Sequence, residues 1–176
     1  MARYIYLVVM IVAAALSRLL PHPANVTPVT AMALFGAVYL DRRSAFLVPI
    51  AAMLLSDIFL GFHSTMLWVY GSFAAMVFIG FWLRNHQGIT STVGASLVGS
   101  VIFYLVTNLG VWVSGMNMYP PTMAGLGECY VAAIPFFRNS LIGDLAYTGV
   151  LFGGFALSCR MVPLLNKART SNGLAA

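Results

Sequence analysis

The chain alternates long apolar runs with short polar breaks, and the spacing of the breaks matches the thickness of a bilayer. Six apolar segments fall at about 4–20, 27–40, 45–61, 65–83, 91–113 and 137–157, each bounded by proline, glycine, asparagine or a charged cluster. Five reach roughly 17 residues or more, the length at which an α-helix crosses about 30 Å of hydrocarbon. The second is shorter. Pro21, His22 and Pro23 precede it and Pro28 stands in its first turn, which predicts a helix entered from an ordered, non-helical stretch and beginning below the membrane surface. From Ser114 to Glu128 the chain holds Gly115, Pro120, Pro121, Gly125 and Gly127 and reads as the one long loop, with a partial turn from Cys129 to Pro135 leading into the last span. No fixed-period repeat or low-complexity tract occurs. The fold class expected is an all-α, six-transmembrane-helix bundle occupying residues 1–165, with a flexible polar tail at 166–176.

Composition narrows the picture. Only 7% of the residues are charged and 61% are apolar, whereas a soluble domain needs roughly 25% charged residues to cover its surface. Soluble folds and a separate cytosolic catalytic module are therefore excluded. The start, Met1-Ala-Arg3 before an apolar run containing Ala13-Ala14-Ala15, has the outline of a signal peptide. Because the run continues to Leu20, a retained first helix is the expectation. The net charge of +5 is scattered between the apolar runs, so nucleic acid is not the expected partner. Instead the basic residues report topology. With six spans, Arg3, Arg42, Arg43, Arg84, Arg160, Lys167 and Arg169 fall on one side and Arg18 and Arg138 on the other, which predicts cytoplasmic N- and C-termini. Cys129 and Cys159 stand on either side of a predicted span and read as free thiols.

Under this topology Arg18, Asn25, Asp57, His63, Asn108, Arg138 and Asn139 all lie at outward helix ends. An ionisable side chain within a span costs about 2.5–3.5 kcal/mol at the bilayer centre, so Arg18, Asp57, Arg138 and Asp144 must pair or face a wet cavity. Two readings stay open together. In one, interhelical salt bridges join Arg18 to Asp57, and Arg138 to Asp144 or a helix end. In the other, Arg18, Asn25, Asp57, His63, Asn108, Trp112, Arg138, Asn139 and Asp144 line a solute pocket. There the guanidiniums would attract anionic or carbonyl groups, the carboxylates would orient them, and Trp112 would stack on an apolar ring. Trp68, Tyr70, Tyr119 and Tyr130 fall on the same side, either as an interfacial belt or as solute contacts. Asn108 and Trp112 are four apart, as are Asn139 and Gly143, so each pair shares a helix face.

Small residues recur four apart at Ala13 and Ser17, Ala33 and Ala37, Ala52 and Ser56, Ala95 and Gly99, and Gly149 and Gly153, a spacing that lets helices approach closely or dock a partner span. Soft metal ligands (His63, Cys129, Met116, Met118, Met123) and an Asp57–His63 dyad lack compact spacing or a flanking nucleophile motif, so neither a metal site nor catalysis is expected. No glycine-rich loop followed by lysine is present, so the chain should not hydrolyse ATP itself; no cofactor is expected.

Three stretches carry a family resemblance: residues 16–36, with Arg18, Pro21, Pro23, Asn25 and Pro28; residues 49–63, with Ser56, Asp57 and His63; and residues 135–144, with Arg138, Asn139 and Asp144. Together they resemble an uncharacterised family of bacterial membrane proteins, itself similar to the substrate-binding S components of energy-coupling factor transporters. The resemblance implies an inner-membrane protein that captures a vitamin or similar micronutrient in an outward pocket. Its implied partners are a membrane scaffold subunit and two ATPases. S components dock through an A-x-x-x-A stripe on the first helix. Here that helix offers Ala13 and Ser17, and the Ala–Ala spacing sits on the second at Ala33 and Ala37, so a solitary carrier stays open. Met1-Ala-Arg3 also differs from the Met-His start of the nickel and cobalt members. The leading expectation is solute binding without catalysis. The alternatives are a membrane scaffold or assembly factor built on interhelical charge pairs, and an intramembrane enzyme.

Overall fold

In the computed structural model, which describes residues 1–62, 64–114 and 118–166, the chain forms six helical rods. They are α1 (Ala2–Leu16, extended by a 3-10 turn Ser17–Leu19), α2 (Val29–Tyr39), α3 (Arg42–Leu60), α4 (Met66–Asn85), α5 (Ile89–Val113) and α6 (Met123–Thr148). The last continues through a π-helical turn, Gly149–Gly153, into α7 (Gly154–Met161), giving one 39-residue rod. Among the described residues there is no strand. Five rods are long and apolar enough to cross a membrane. Their outer faces carry Ile5, Leu47, Phe59, Leu67 and Phe78, each more than half exposed, as a lipid-facing surface requires.

The sixth rod corrects the expectation of six full spans. At 11 residues α2 is about 16 Å long, half a bilayer, and it forms the centre of the bundle rather than its rim. Every residue from Val29 to Val38 is buried. Small side chains make this possible. Gly80 of α4 meets Ala37 and Leu34, and Gly99 of α5 meets Thr30, at distances where an added Cβ would collide with them. Phe35 anchors the helix, ringed edge-on by Tyr39, Phe152 and Phe155 at 4.9–5.8 Å between centroids. Helix α2 nonetheless runs the chain from one end of the bundle to the other. The start of α1 and residue 165 therefore meet at one end, where an Arg3 guanidinium NH donates to the Leu165 carbonyl at 3.2 Å.

The long loop is also shorter than predicted, because α6 begins at Met123 and runs unbroken past Pro135. Thr122 caps it, its hydroxyl accepting from the Gly125 N–H at 3.1 Å. Gly125 and Gly127, read as loop residues, lie inside the helix. A Cβ at Gly125 would stand 2.1 Å from the Pro120 carbonyl oxygen, so that glycine serves close approach rather than a turn. Of the small-residue pairs, Ala33 and Ala37, Ala52 and Ser56, and Ala95 and Gly99 are buried in helix packing, whereas Gly149 and Gly153 are exposed.

At the other end, Asp41 caps α3, accepting from the N–H groups of Arg43 and Ser44 at 3.1 Å. Hydrogen bonds from the Ser44 hydroxyl and backbone hold its carboxyl below the usual carboxylate range. Because the folded-state value is depressed, the stabilisation is present above the ordinary carboxylate range and is lost as the pH falls through the lowered value. Replacing Asp41 with Ala is expected to cost about 1 kcal/mol in equilibrium unfolding at neutral pH, with Asp41→Asn retaining most of the cap.

Candidate functional site

The rods come together around two cavities, one at each end of α2. The first, about 420 Å³, opens where α1 ends, α2 and α4 begin, and α5 hands over to α6. The second, about 780 Å³, opens at the end that carries Arg3, Arg84 and Asn166. Val29, at the start of α2, lines the first, and Val38 to Leu40, at its end, line the second. Arg84 donates to the Ala37 and Leu40 carbonyls, satisfying α2 carbonyls that have no helical partner. Cys129 lines the first cavity and Cys159 the second, so the two thiols stand apart and free.

The wall of the first cavity combines apolar rings with neutral polar groups. Phe103, Tyr104, Phe137 and Tyr119 contribute rings, and Asn25, Thr27, Thr107, Asn108 and Ser140 contribute hydrogen-bonding groups. Tyr104 is fixed by its hydroxyl donating to the Tyr130 carbonyl at 2.6 Å and by the Phe137 ring at 4.6 Å. Asn25 reaches the wall from a turn in which its φ is 64°, a conformation asparagine adopts more readily than most residues.

Arg18 is the charged member. One guanidinium NH donates to Ser56 Oγ at 2.6 Å, and another lies 2.8 Å from the Asp57 carboxylate. Asp57 also accepts from the Tyr70 hydroxyl at 2.7 Å. The expected Arg18–Asp57 bridge is therefore present, with both side chains close to nine-tenths buried or more. It leaves the cavity with a polar but electrically compensated wall. The Arg18 Nε–H is buried without an acceptor, the one such side-chain atom among the described residues.

Of the other residues singled out from the sequence, Asn25 and Asn108 line the cavity beside Arg18. Asp57 stands behind Arg18. Trp112 does not line it, because its indole N–H donates to the Pro120 carbonyl at 2.9 Å and ties α5 to the following loop. Asn139 donates to the Ala24 carbonyl at 3.0 Å, fixing the segment before α2. Arg138 is exposed and makes no bridge to Asp144, which is buried and instead accepts from the Ser100 hydroxyl at 2.5 Å. His63 and Met116 lie outside the described residues. Among those described, no group of three or more His, Cys, Asp or Glu could hold a metal ion. Of the aromatic set, Tyr119 lines the wall, while Trp68 packs against Gly110 and Tyr70 bonds Asp57.

The wall residues that sequence reasoning missed include Thr27, Phe103, Tyr104, Thr107, Phe137 and Ser140. A signal for two of them was available. Ser96, Ser100, Tyr104 and Asn108 fall four apart along α5, and Ser140, Asp144 and Thr148 four apart along α6, so each series forms one polar stripe on an apolar helix.

Fold and cavity together define a multi-pass, all-helical membrane protein with a solute-sized hollow at one end of its bundle. The chain matches, over residues 1–165, the family described as a family of unknown function (DUF6580), and it belongs to that family. No curated protein and no solved structure matches the chain.

Proposed function

We propose that the protein is a membrane-embedded solute-binding component for uptake of a vitamin-like micronutrient, working without catalysis. The observation that carries this reading is the 420 Å³ cavity, within the size range of small-molecule sites and lined by rings plus a few convergent polar groups. In this reading the cavity faces outward, the termini are cytoplasmic, and the membrane is the bacterial inner membrane. Asp57 compensates the charge of Arg18, so the wall suits a neutral or zwitterionic ring compound better than a multiply charged anion. The unpartnered Arg18 Nε–H favours a solute that presents a carbonyl or carboxylate oxygen.

The resemblance to S components read from the sequence would supply a scaffold subunit and two ATPases as partners. The exposed Ala13 beside the half-buried Ser17 leaves a small-residue face on α1 for such docking. A second reading, a scaffold or assembly factor, draws on the same Arg18–Asp57 bridge taken as purely structural.

A thermal-shift screen of the purified protein against vitamins and their precursors tests the proposal. At least one compound is expected to raise the melting temperature saturably. Asn108→Leu should then weaken it by roughly tenfold, the equivalent of one lost hydrogen bond. Arg138→Ala, outside the cavity wall, should leave affinity within about twofold. A full panel without response, together with a stoichiometric protein partner, would favour the scaffold reading.

A further inference from the structure

The second cavity, at the opposite end of α2 from the first, has no part in the solute reading. It holds about 780 Å³, and its wall divides by chemistry. Leu7, Tyr39 and Phe155 make one part apolar, and Arg3, Arg84, Asn85 and Gln87 make the other polar. Both arginines sit at the boundary of apolar spans, Arg3 at the start of α1 and Arg84 at the end of α4, the level at which a bilayer changes from hydrocarbon to headgroup. Among the described residues the only ion pair is Arg18–Asp57, so neither guanidinium has a carboxylate against it.

We infer that this cavity binds the phosphodiester headgroup of an anionic phospholipid, with Arg3 and Arg84 holding the phosphate. Charge sets the sign of the ligand. Two arginines face one carboxylate on the wall, that of Asp41, which is already engaged as the cap of α3. Arg42, outside the wall but near enough to act on Arg84, adds to the positive field. An anion balances that excess, whereas a zwitterionic headgroup leaves it standing. The apolar part of the wall decides the source. A soluble phosphate has nothing to set against Leu7, Tyr39 and Phe155, but the glycerol backbone and upper acyl chains of a lipid do. Basic recesses between spans at the membrane surface receive lipid headgroups for these same reasons.

Both guanidiniums are held in place with donors to spare. Arg3 donates through one terminal nitrogen to the Leu165 carbonyl and lies over the Phe155 ring, 5.3 Å from its centroid. Arg84 gives Nε and Nη2 to the Ala37 and Leu40 carbonyls and lies over the Phe81 ring at 5.2 Å, while its Nη1 has no hydrogen-bond partner among the described residues. Anchored by neutral partners, each retains its charge and N–H groups for a phosphate oxygen.

The test needs no solute. Melting temperatures of the purified full-length protein are compared in maltoside micelles doped with phosphatidylglycerol, doped with phosphatidylcholine, or supplied with inorganic phosphate, at equal ionic strength and pH. Phosphatidylglycerol is expected to raise the melting temperature by a few degrees, saturably, over phosphatidylcholine, and inorganic phosphate to leave it unchanged. Arg3→Gln, which keeps a donor for the Leu165 carbonyl but removes the charge, should fold and move the phosphatidylglycerol midpoint about tenfold higher. Arg43→Gln, at an exposed arginine of the same end but outside the wall, should leave the midpoint within about twofold. Should Arg3→Gln fail to fold, Gln87→Glu, which cancels the positive charge of the wall, is expected to move the midpoint as far. Equal melting temperatures in the two lipids would overturn the site. So would a midpoint unmoved by the wall variant that folds, or one moved as far by Arg43→Gln, which would reduce the effect to a general attraction. Stabilisation by inorganic phosphate equal to that by phosphatidylglycerol would overturn the lipid and make the ligand a soluble anion.

Discussion

Arg18→Ala is expected to lower the stability of the folded protein by about 3 kcal/mol, among the largest effects of any single substitution here. The reason is what it strands. Asp57 is 5% exposed, and without Arg18 the partner it keeps among the described residues is the Tyr70 hydroxyl. Removing one member of a buried pair costs about 3–5 kcal/mol, and the low end applies because the cavity brings water near the Arg18 side. Asp57→Asn should cost less, about 2 kcal/mol, since an amide still accepts from Tyr70 and leaves a guanidinium that can reach the cavity. The double variant should then cost about 2 kcal/mol less than the sum of the two singles, measured by equilibrium unfolding in mixed micelles. Strict additivity would mean that water already screens the pair. Arg18→Lys, a point charge that cannot hold Ser56 and Asp57 at once, is expected to fall between wild type and alanine.

That bridge was legible in the sequence because a charge inside an apolar run has so few ways to survive. Arg18 and Asp57 fall at the ends of the first and third helices, which the count of spans puts on the same side, and pairing them needs only that count. Asp144 obeys the same constraint but solves it differently. Its nearest candidate by sequence, Arg138, is six residues earlier on the same helix, which turns the two side chains to different faces, one exposed and one buried. The hydroxyl that does meet Asp144, that of Ser100, comes from α5, and no local spacing announces a contact across helices.

Helix α2 was legible as a helix and as a short one, yet its place at the core was not. An apolar segment looks the same whether lipid or protein surrounds it, and only the glycines of its neighbours betray the difference. The start of α6 was misread for a related reason. Gly125 and Gly127 resemble turn residues by type, and the Thr122 cap that overrides them is visible only as geometry.

The two glycines of α4 turn this point into a measurement, because the same chemical change should act with opposite signs at each. A side chain at Gly80 would place its Cβ 2.4 Å from the Ala37 Cβ and 3.2 Å from the Leu34 Cα and carbonyl oxygen. These are parts of α2 that have no flexible end to yield, so α4 must move away from the central helix. Overpacking of this kind costs about 1–3 kcal/mol, against a helix-propensity gain of roughly 1 kcal/mol for leaving glycine. Gly80→Ala should therefore lose up to about 2 kcal/mol, and Gly80→Val, bulkier and without the full propensity gain, about 3 kcal/mol. At Gly71 an added Cβ meets nothing within 4 Å, and Gly71→Ala should raise stability by up to about 1 kcal/mol. Equal losses at both positions would show that α4 tolerates no change in its glycines for reasons of its own rather than for contact with α2. A loss confined to Gly80 would also loosen Arg84, one turn further on, which bonds the Ala37 and Leu40 carbonyls. Both cavities should then change together, since α2 stands between them, and solute affinity should fall in step with stability although Gly80 touches neither opening.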